Sequence, residues 1–174
     1  MEDLKKLIRN IPDFPKPGIQ FYDITTLFQD SWGLKRCLDI LEEQYKNKSI
    51  DKIAGIESRG FIVGAALADR LNCGFVLIRK KGKLPGETVS ESYELEYGTD
   101  ELEIHVDAIA ENENILILDD LLATGGTFEA ATNLVKKVNG NIVGLGCIIE
   151  LTGLNGRSKL GGYPFFSMVS YDEA

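Results

Sequence analysis

The run Ile115-Leu116-Ile117-Leu118-Asp119-Asp120, followed by Leu121-Leu122-Ala123-Thr124-Gly125-Gly126-Thr127, constrains this chain more than any other stretch. Four aliphatic residues in a row suit a strand covered on both faces, as in a parallel sheet. A strand with one wet face would alternate instead. Ligands of open parallel sheets gather beyond the carboxyl ends of the strands, where Asp119 and Asp120 stand. The small residues of Ala123-Thr124-Gly125-Gly126-Thr127 let several backbone N–H groups approach one anion, and the helix they open adds its positive end. Carboxylates beside an anion cradle repel the anion unless the ligand carries hydroxyls as well as phosphate. A sugar phosphate satisfies both: amides and hydroxyls hold the phosphate, while the acids accept hydrogen bonds from sugar hydroxyls or face a divalent cation. A plain strand–loop–helix junction capped by Thr124 or Thr127 is the competing reading.

A chain of 174 residues fits one domain, 1–174, with a full-sized core. The net charge of −8 argues against a broad nucleic-acid or anionic-membrane surface, leaving room only for a small basic pocket. Cys37, Cys73 and Cys147 are scattered and form no CxxC pair, so they indicate neither a disulfide framework nor a zinc site. Reduced, buried thiols suit the cytoplasm. No run is long and apolar enough to span a membrane, and Met1-Glu2-Asp3 does not open a signal peptide.

The pattern of apolar residues predicts a helix over 3–10, then a stiff extended connector carrying Pro12, Pro15, Pro17 and Gly18. A helix marked by Leu34, Cys37, Leu38, Leu41 and Tyr45 follows, capped by Asp30 or Ser31. Strands are expected at 52–57 and 74–79, with a close-packed helix at 60–71 between them. Residues 80–92 read as a mobile loop. Residues 92–97 and 101–106 alternate around a Gly98-Thr99-Asp100 turn, the pattern of an antiparallel hairpin. A helix from Phe128 to Gly140 and strands at 142–151 and 165–169 complete the series. Strands alternating with helices predict an α/β fold with a mostly parallel sheet flanked by helices, to which a small N-terminal hood and the hairpin loop are added.

Three further segments carry chemistry. Glu57-Ser58-Arg59-Gly60 lies at a second strand end and reads as a second anion loop, or as a helix start with a solvated arginine. Arg79-Lys80-Lys81-Gly82-Lys83-Leu84-Pro85-Gly86 is the one dense basic run of an acidic chain. Such runs are usually solvated, but a multiply charged ligand needs neutralising. Within Phe14-Pro15-Lys16-Pro17-Gly18-Ile19-Gln20-Phe21-Tyr22-Asp23-Ile24-Thr25, Phe21 either covers a core edge or stacks on a flat aromatic ligand. His105, the only histidine, alternates with Ile104 and Val106, faces solvent on this reading, and is given no catalytic role.

The run Asp119 to Thr127 resembles the signature of the type I phosphoribosyltransferases, which bind 5-phosphoribosyl 1-pyrophosphate. With Phe14-Pro15-Lys16-Pro17-Gly18, Glu57-Ser58-Arg59-Gly60-Phe61, the basic run, Tyr93-Glu94-Leu95-Glu96-Tyr97-Gly98 and Pro164-Phe165-Phe166, nearly the whole chain resembles the adenine branch of that family. The resemblance implies a parallel sheet with a hood, a homodimer, and a magnesium-dependent transfer: adenine plus phosphoribosyl pyrophosphate gives AMP plus pyrophosphate. The magnesium would be held mainly by pyrophosphate and ribose oxygens, with no metal site built of side chains. Ala123, Thr124, Gly125, Gly126 and Thr127 would hold the 5-phosphate, and Asp119 and Asp120 the ribose hydroxyls. Ser58, Arg59, Arg79, Lys80 and Lys83 would meet pyrophosphate, across a cis Glu57–Ser58 peptide. Glu96 would be a loop carboxylate near the reacting groups, with Arg59 and Lys83 counted beside it as catalytic. Gln20, Phe21 and Tyr22 would line the base site. The family often has arginine in place of Tyr22 and a branched aliphatic in place of Gln20. Either backbone groups read the base edge, or Gln20 does and another purine is the substrate. A non-catalytic regulator would need a DNA-binding module, for which the chain has no room.

Overall fold

The computed structural model describes residues 1–95 and 98–172, Leu95 by its backbone alone. A short helix α1 (Glu2–Lys5) leads into the strands β1 (Arg9–Pro12) and β2 (Gln20–Asp23), which pair antiparallel as a two-stranded hood. Then come α2 (Thr25–Gln29), α3 (Ser31–Tyr45), β3 (Lys52–Ile56), α4 (Gly60–Leu71) and β4 (Gly74–Lys80). The hairpin β5 (Thr88–Leu95) and β6 (Gly98–His105) precedes β7 (Asn114–Leu118), the two-residue β8 (Leu121–Leu122) and α5 (Gly126–Lys137). β9 (Asn141–Leu151), two 3-10 turns (Thr152–Leu154 and Gly156–Lys159) and β10 (Phe165–Tyr171) close the chain.

The main sheet runs β10-β9-β7-β3-β4-β6-β5, with β8 also on β9. The strands from β10 to β4 are parallel, and β6 joins both β4 and β5 antiparallel. This is a mixed α/β architecture with a mostly parallel sheet. The aliphatic run of β7 shows why. Ile115 and Ile117 enter one core with Phe128, Ala131, Leu134 and Val135 of α5. Leu116 and Leu118 enter the other, with Cys37, Leu41 and Tyr45 of α3 and Val63 and Leu67 of α4. Successive strand side chains point to opposite faces, so a strand between two helical layers must be apolar at every position. Asp30 caps α3 by accepting from the Gly33 N–H at 2.7 Å.

Three expectations need correcting. The helix expected over 3–10 stops at Lys5. Leu4 and Ile8 are buried, as their spacing suggested, yet residues 9–12 turn extended because β2 needs a hydrogen-bonding partner. The loop expected over 80–92 shrinks to 81–87, since β4 runs to Lys80 and β5 starts at Thr88. Its charges are satisfied across the ladder, with Lys80 on Asp100 at 2.9 Å and Lys81 on Glu101 at 2.7 Å. The expected turn Gly98-Thr99-Asp100 is strand instead, with Gly98 opposite Leu95. Sequence pattern also missed α2, too short to show a period.

Candidate active site

Strand ends build the site. Asp119 follows β7, where its N–H donates to the Gly146 carbonyl of β9 at 3.1 Å. The Asp120 N–H donates to Asp119 Oδ1 at 2.8 Å, and the Asp120 carbonyl accepts from Ile148 and Ile149. Both acids are 7% exposed. Burial, with the negative Asp120 alongside, pushes the Asp119 carboxyl well above the usual carboxylate range. From the next strand end, Arg59 sets its Nε 2.6 Å from Asp120 Oδ2. Gly60 opens α4 so close to this pair that a Cβ there would lie 2.9 Å from the Leu118 carbonyl oxygen. The Glu57–Ser58 peptide is cis, as is Phe14–Pro15.

On the far side Gly125 caps α5 with φ +86°, in the region that favours glycine. With the carboxylates, Ser58, Arg59, Lys80, Ala123, Thr124 and Thr127, it lines a cleft of about 490 Å³. Tyr93, reaching in from β5, and Leu121 also line the cleft; both lie within the motif runs of the sequence, which gave neither of them a role. Tyr93 donates its hydroxyl to Asp100 at 3.3 Å, and burial raises its phenol.

The hood encloses a second hollow, of about 620 Å³, lined by Pro15, Pro17, Gln20, Phe21, Tyr22 and Leu154. Arg59 and Leu121 line both hollows, so the two adjoin. Phe21 stands edge-on to Phe14 with centroids 5.1 Å apart, and Tyr22 stacks on Tyr171 at 3.8 Å. Gln20 Oε1 is buried with no hydrogen-bond partner among the described residues. The hood is anchored by Asp23, which accepts from the Thr25 hydroxyl and from Arg9. These bonds, Thr25 foremost, lower its carboxyl to about 2.

Not every candidate reaches the cleft. Gly126 lies under the hairpin, 3.2 Å from the Glu94 carbonyl oxygen for a Cβ built there. Arg79 turns to Glu57, with two contacts of 3.3 Å, and to the Lys83 carbonyl at 3.2 Å. Lys83 does not line the cleft, and its side chain makes no ion pair among the described residues. Glu96 lies outside the described residues. His105 is half-buried rather than solvent-facing, its Nε2 at 2.6 Å from the Pro85 carbonyl oxygen. Glu103 was missed altogether. Buried at 4% exposure, it accepts from the Lys83 and Leu84 amides at 3.0 and 2.8 Å and pins the basic loop. Burial works to raise its carboxyl, but the loop amides win and lower it. Glu57 behaves alike: burial opposes ionisation, while the Lys80 amide and Arg79 overcome it. Among the described residues no group of three or more His, Cys, Asp or Glu side chains could hold a metal ion. No helix among them is long and apolar enough to cross a membrane.

Comparison with known proteins gives the same arrangement a family. Residues 26–164 match the phosphoribosyl transferase domain. The adenine phosphoribosyltransferase of Koribacter versatilis is 55% identical over 172 residues, 99% of this chain and 94% of that protein. This chain belongs to the adenine phosphoribosyltransferase family. The crystal structure of the adenine phosphoribosyltransferase from Thermoanaerobacter pseudethanolicus superposes with a TM-score of 0.94 at 49% identity, covering 98% of this chain and 99% of that one. The Saccharomyces cerevisiae member of the family, complexed with an imino-altritol bisphosphate and adenine, superposes with a TM-score of 0.91 at 41% identity, with 97% of each chain covered.

Proposed function

We propose that residues 1–174 form one phosphoribosyltransferase domain that transfers the 5-phosphoribosyl group from phosphoribosyl pyrophosphate to adenine, releasing AMP and pyrophosphate. The observation that carries this reading is the pair of adjoining hollows sharing Arg59 and Leu121. One offers an anion loop and two carboxylates, the other aromatic faces.

In this reading the amides and hydroxyls of residues 123–127 take the 5-phosphate, and Asp119 and Asp120 take the ribose hydroxyls. The base nitrogen forms its bond to the anomeric carbon as the carbon–oxygen bond to pyrophosphate breaks, and the proton the base gives up passes to the departing pyrophosphate or to solvent. Positive character grows on the sugar, which the carboxylates favour electrostatically. Arg59 exchanges Asp120 for pyrophosphate as substrate enters. Lys80 and Ser58 already line the cleft, Arg79 and Lys83 join on closure of the loop, and Glu96 is the loop carboxylate of this reading. Closure excludes the water that would hydrolyse the activated sugar. Two carboxylates, both oxygen donors, suit a hard cation and are too few to cage one. They fit magnesium held mainly by pyrophosphate and ribose oxygens, near Asp119 and Asp120. When bound, the ion supplies charge neutralisation on the leaving group. A homodimer in the cytoplasm completes the reading, with light scattering as the check on its mass.

Substitution of Asp120 by Asn tests the site. Turnover with adenine should fall about a hundredfold or more with the circular dichroism spectrum unchanged, the order expected when a preorganised electrostatic group is lost. Near-normal turnover would remove the acids from the mechanism.

A further inference from the structure

We propose that Arg157 is a positioning residue for the anion loop at 123–127, acting from behind it through the Gly156 backbone. The proposal rests on the reading that this loop takes the 5-phosphate.

The contact between the two segments is backbone on backbone. A Cβ on Gly156 would lie 2.2 Å from the Ala123 carbonyl oxygen, and a Cβ on Gly125 would lie 2.4 Å from the Gly156 carbonyl oxygen. No side chain fits between them, so the position of Gly156 sets how far the loop can settle back from its ligand. The turn Gly156–Lys159 is a single 3-10 piece with few bonds of its own, the Ser158 and Leu160 amides donating at 3.1 Å each. Such short turns do not hold their place unaided.

Arg157 holds it. Its Nε and a terminal nitrogen donate to the two oxygens of Glu150 at 2.5 and 2.7 Å, a two-pronged pairing that fixes orientation as well as distance. Glu150 is only 3% exposed near the end of β9 and also accepts from the Ser167 hydroxyl of β10 at 2.6 Å. The guanidinium lies over the Phe165 ring at 4.9 Å, and that ring stands edge-on to Phe128 of α5, the helix the anion loop opens. One side chain thus ties the turn to β9, to β10 and, through Phe165, to α5. Arg157 lines neither of the two substrate hollows, so any effect on substrate is indirect, through the Gly156 backbone or through Phe165 and α5.

The test compares Arg157→Ala, Arg157→Lys, Gly156→Ala and Thr127→Ala in initial-rate kinetics with each substrate varied. For Arg157→Ala the KM for phosphoribosyl pyrophosphate should rise about tenfold or more, since misplacement of a binding group by about 1 Å can cost up to a hundredfold. The KM for adenine should stay within about twofold, as hood contacts are untouched, and kcat should fall less than the phosphoribosyl pyrophosphate KM rises. Lysine keeps the charge but not the fork, so Arg157→Lys should recover part of the loss. Gly156→Ala leaves the ion pair in place and pushes on Ala123. It should give the same substrate-selective loss even if Arg157→Ala folds poorly. Equal losses for both substrates would reduce Arg157 to general structural support and overturn the proposal. An unchanged KM in Arg157→Ala and Gly156→Ala, with a raised one in Thr127→Ala, would overturn it and leave the loop's role standing. No change in any of the variants would overturn both.

Discussion

Replacing Gly125 with alanine should disable the anion loop while sparing most of the fold. Its φ of +86° costs a side-chain-bearing residue about 1–2 kcal/mol. The added methyl would sit 2.4 Å from the Gly156 carbonyl oxygen, about 1 Å inside ordinary contact. Overpacking of that kind costs about 1–3 kcal/mol if the backbone stays, so the sum is about 2–5 kcal/mol. The loop sits at the cleft rim and has somewhere to go. It should move by about the missing 1 Å, carrying the residue 123–125 amides with it. A shift of that size in a positioned group costs on the order of a hundredfold. The assay is initial rate against phosphoribosyl pyrophosphate at saturating adenine, beside a thermal melt. We expect kcat/KM for phosphoribosyl pyrophosphate down about a hundredfold, with the melting temperature lowered by several degrees. Wild-type kcat/KM would mean the loop amides do not hold the phosphate, and a wild-type melt as well would mean the contact with Gly156 is not tight.

Other consequences follow from the charges and thiols. Asp119 has its carboxyl raised by burial beside Asp120, so the folded state binds its proton more tightly than the unfolded state. Its ionisation therefore turns against folding as pH rises through the unfolded carboxylate range, and Asp119→Asn should melt a few degrees higher at neutral pH while losing activity. Asp23 is the opposite case: lowered from 3.8 to about 2, it contributes stability above the ordinary range and loses it as pH falls to about 2. Asp23→Asn should flatten that acid arm in urea titrations run at each pH. A thiol reagent should label half-exposed Cys73 first, with Cys37, pushed up to about 12 by burial, and buried Cys147 reacting only on unfolding. Mass spectrometry of labelled peptides reads the order. Glu103→Ala frees the Lys83 and Leu84 amides and should speed hydrogen exchange at residues 82–84 at least tenfold, the loss of about 1.4 kcal/mol of local stability.

Much of this was legible because one period dominates each segment. The β7 run was apolar at every position and turned out to feed two cores, and the α4 span matched residue for residue because small residues mark close helix–sheet packing. The hood was not legible. Leu4, Leu7, Ile8 and Ile11 have helical spacing, yet β1 is extended because its partner β2 lies beyond a proline-rich turn, a pairing no local window sees. Charge patterns were incomplete for a related reason: the basic run shows Lys80 and Lys81 but not the facing strand that supplies Asp100 and Glu101, nor Glu103, which accepts from the loop amides. The carboxylate pair and anion loop announced themselves by residue type, whereas Arg157 acts through a backbone contact that leaves no pattern of its own.

Base selectivity tests the central claim most directly. Phosphoribosyl pyrophosphate, magnesium and the purified protein should release pyrophosphate only when a base is present, and the specificity constants for adenine, hypoxanthine and guanine should be measured on one preparation. If hood backbone groups read the amino edge of the base beside Phe21, a 6-oxo purine leaves site groups unpaired. Such mismatches cost up to about 10⁴-fold to 10⁵-fold where a site is built to hydrogen-bond its substrate. Adenine should therefore lead both oxo-purines by several orders of magnitude, despite Gln20 and Tyr22. An oxo-purine that matches adenine would contradict the account, and would point to the unpartnered Oε1 end of Gln20 as the group that reads the base.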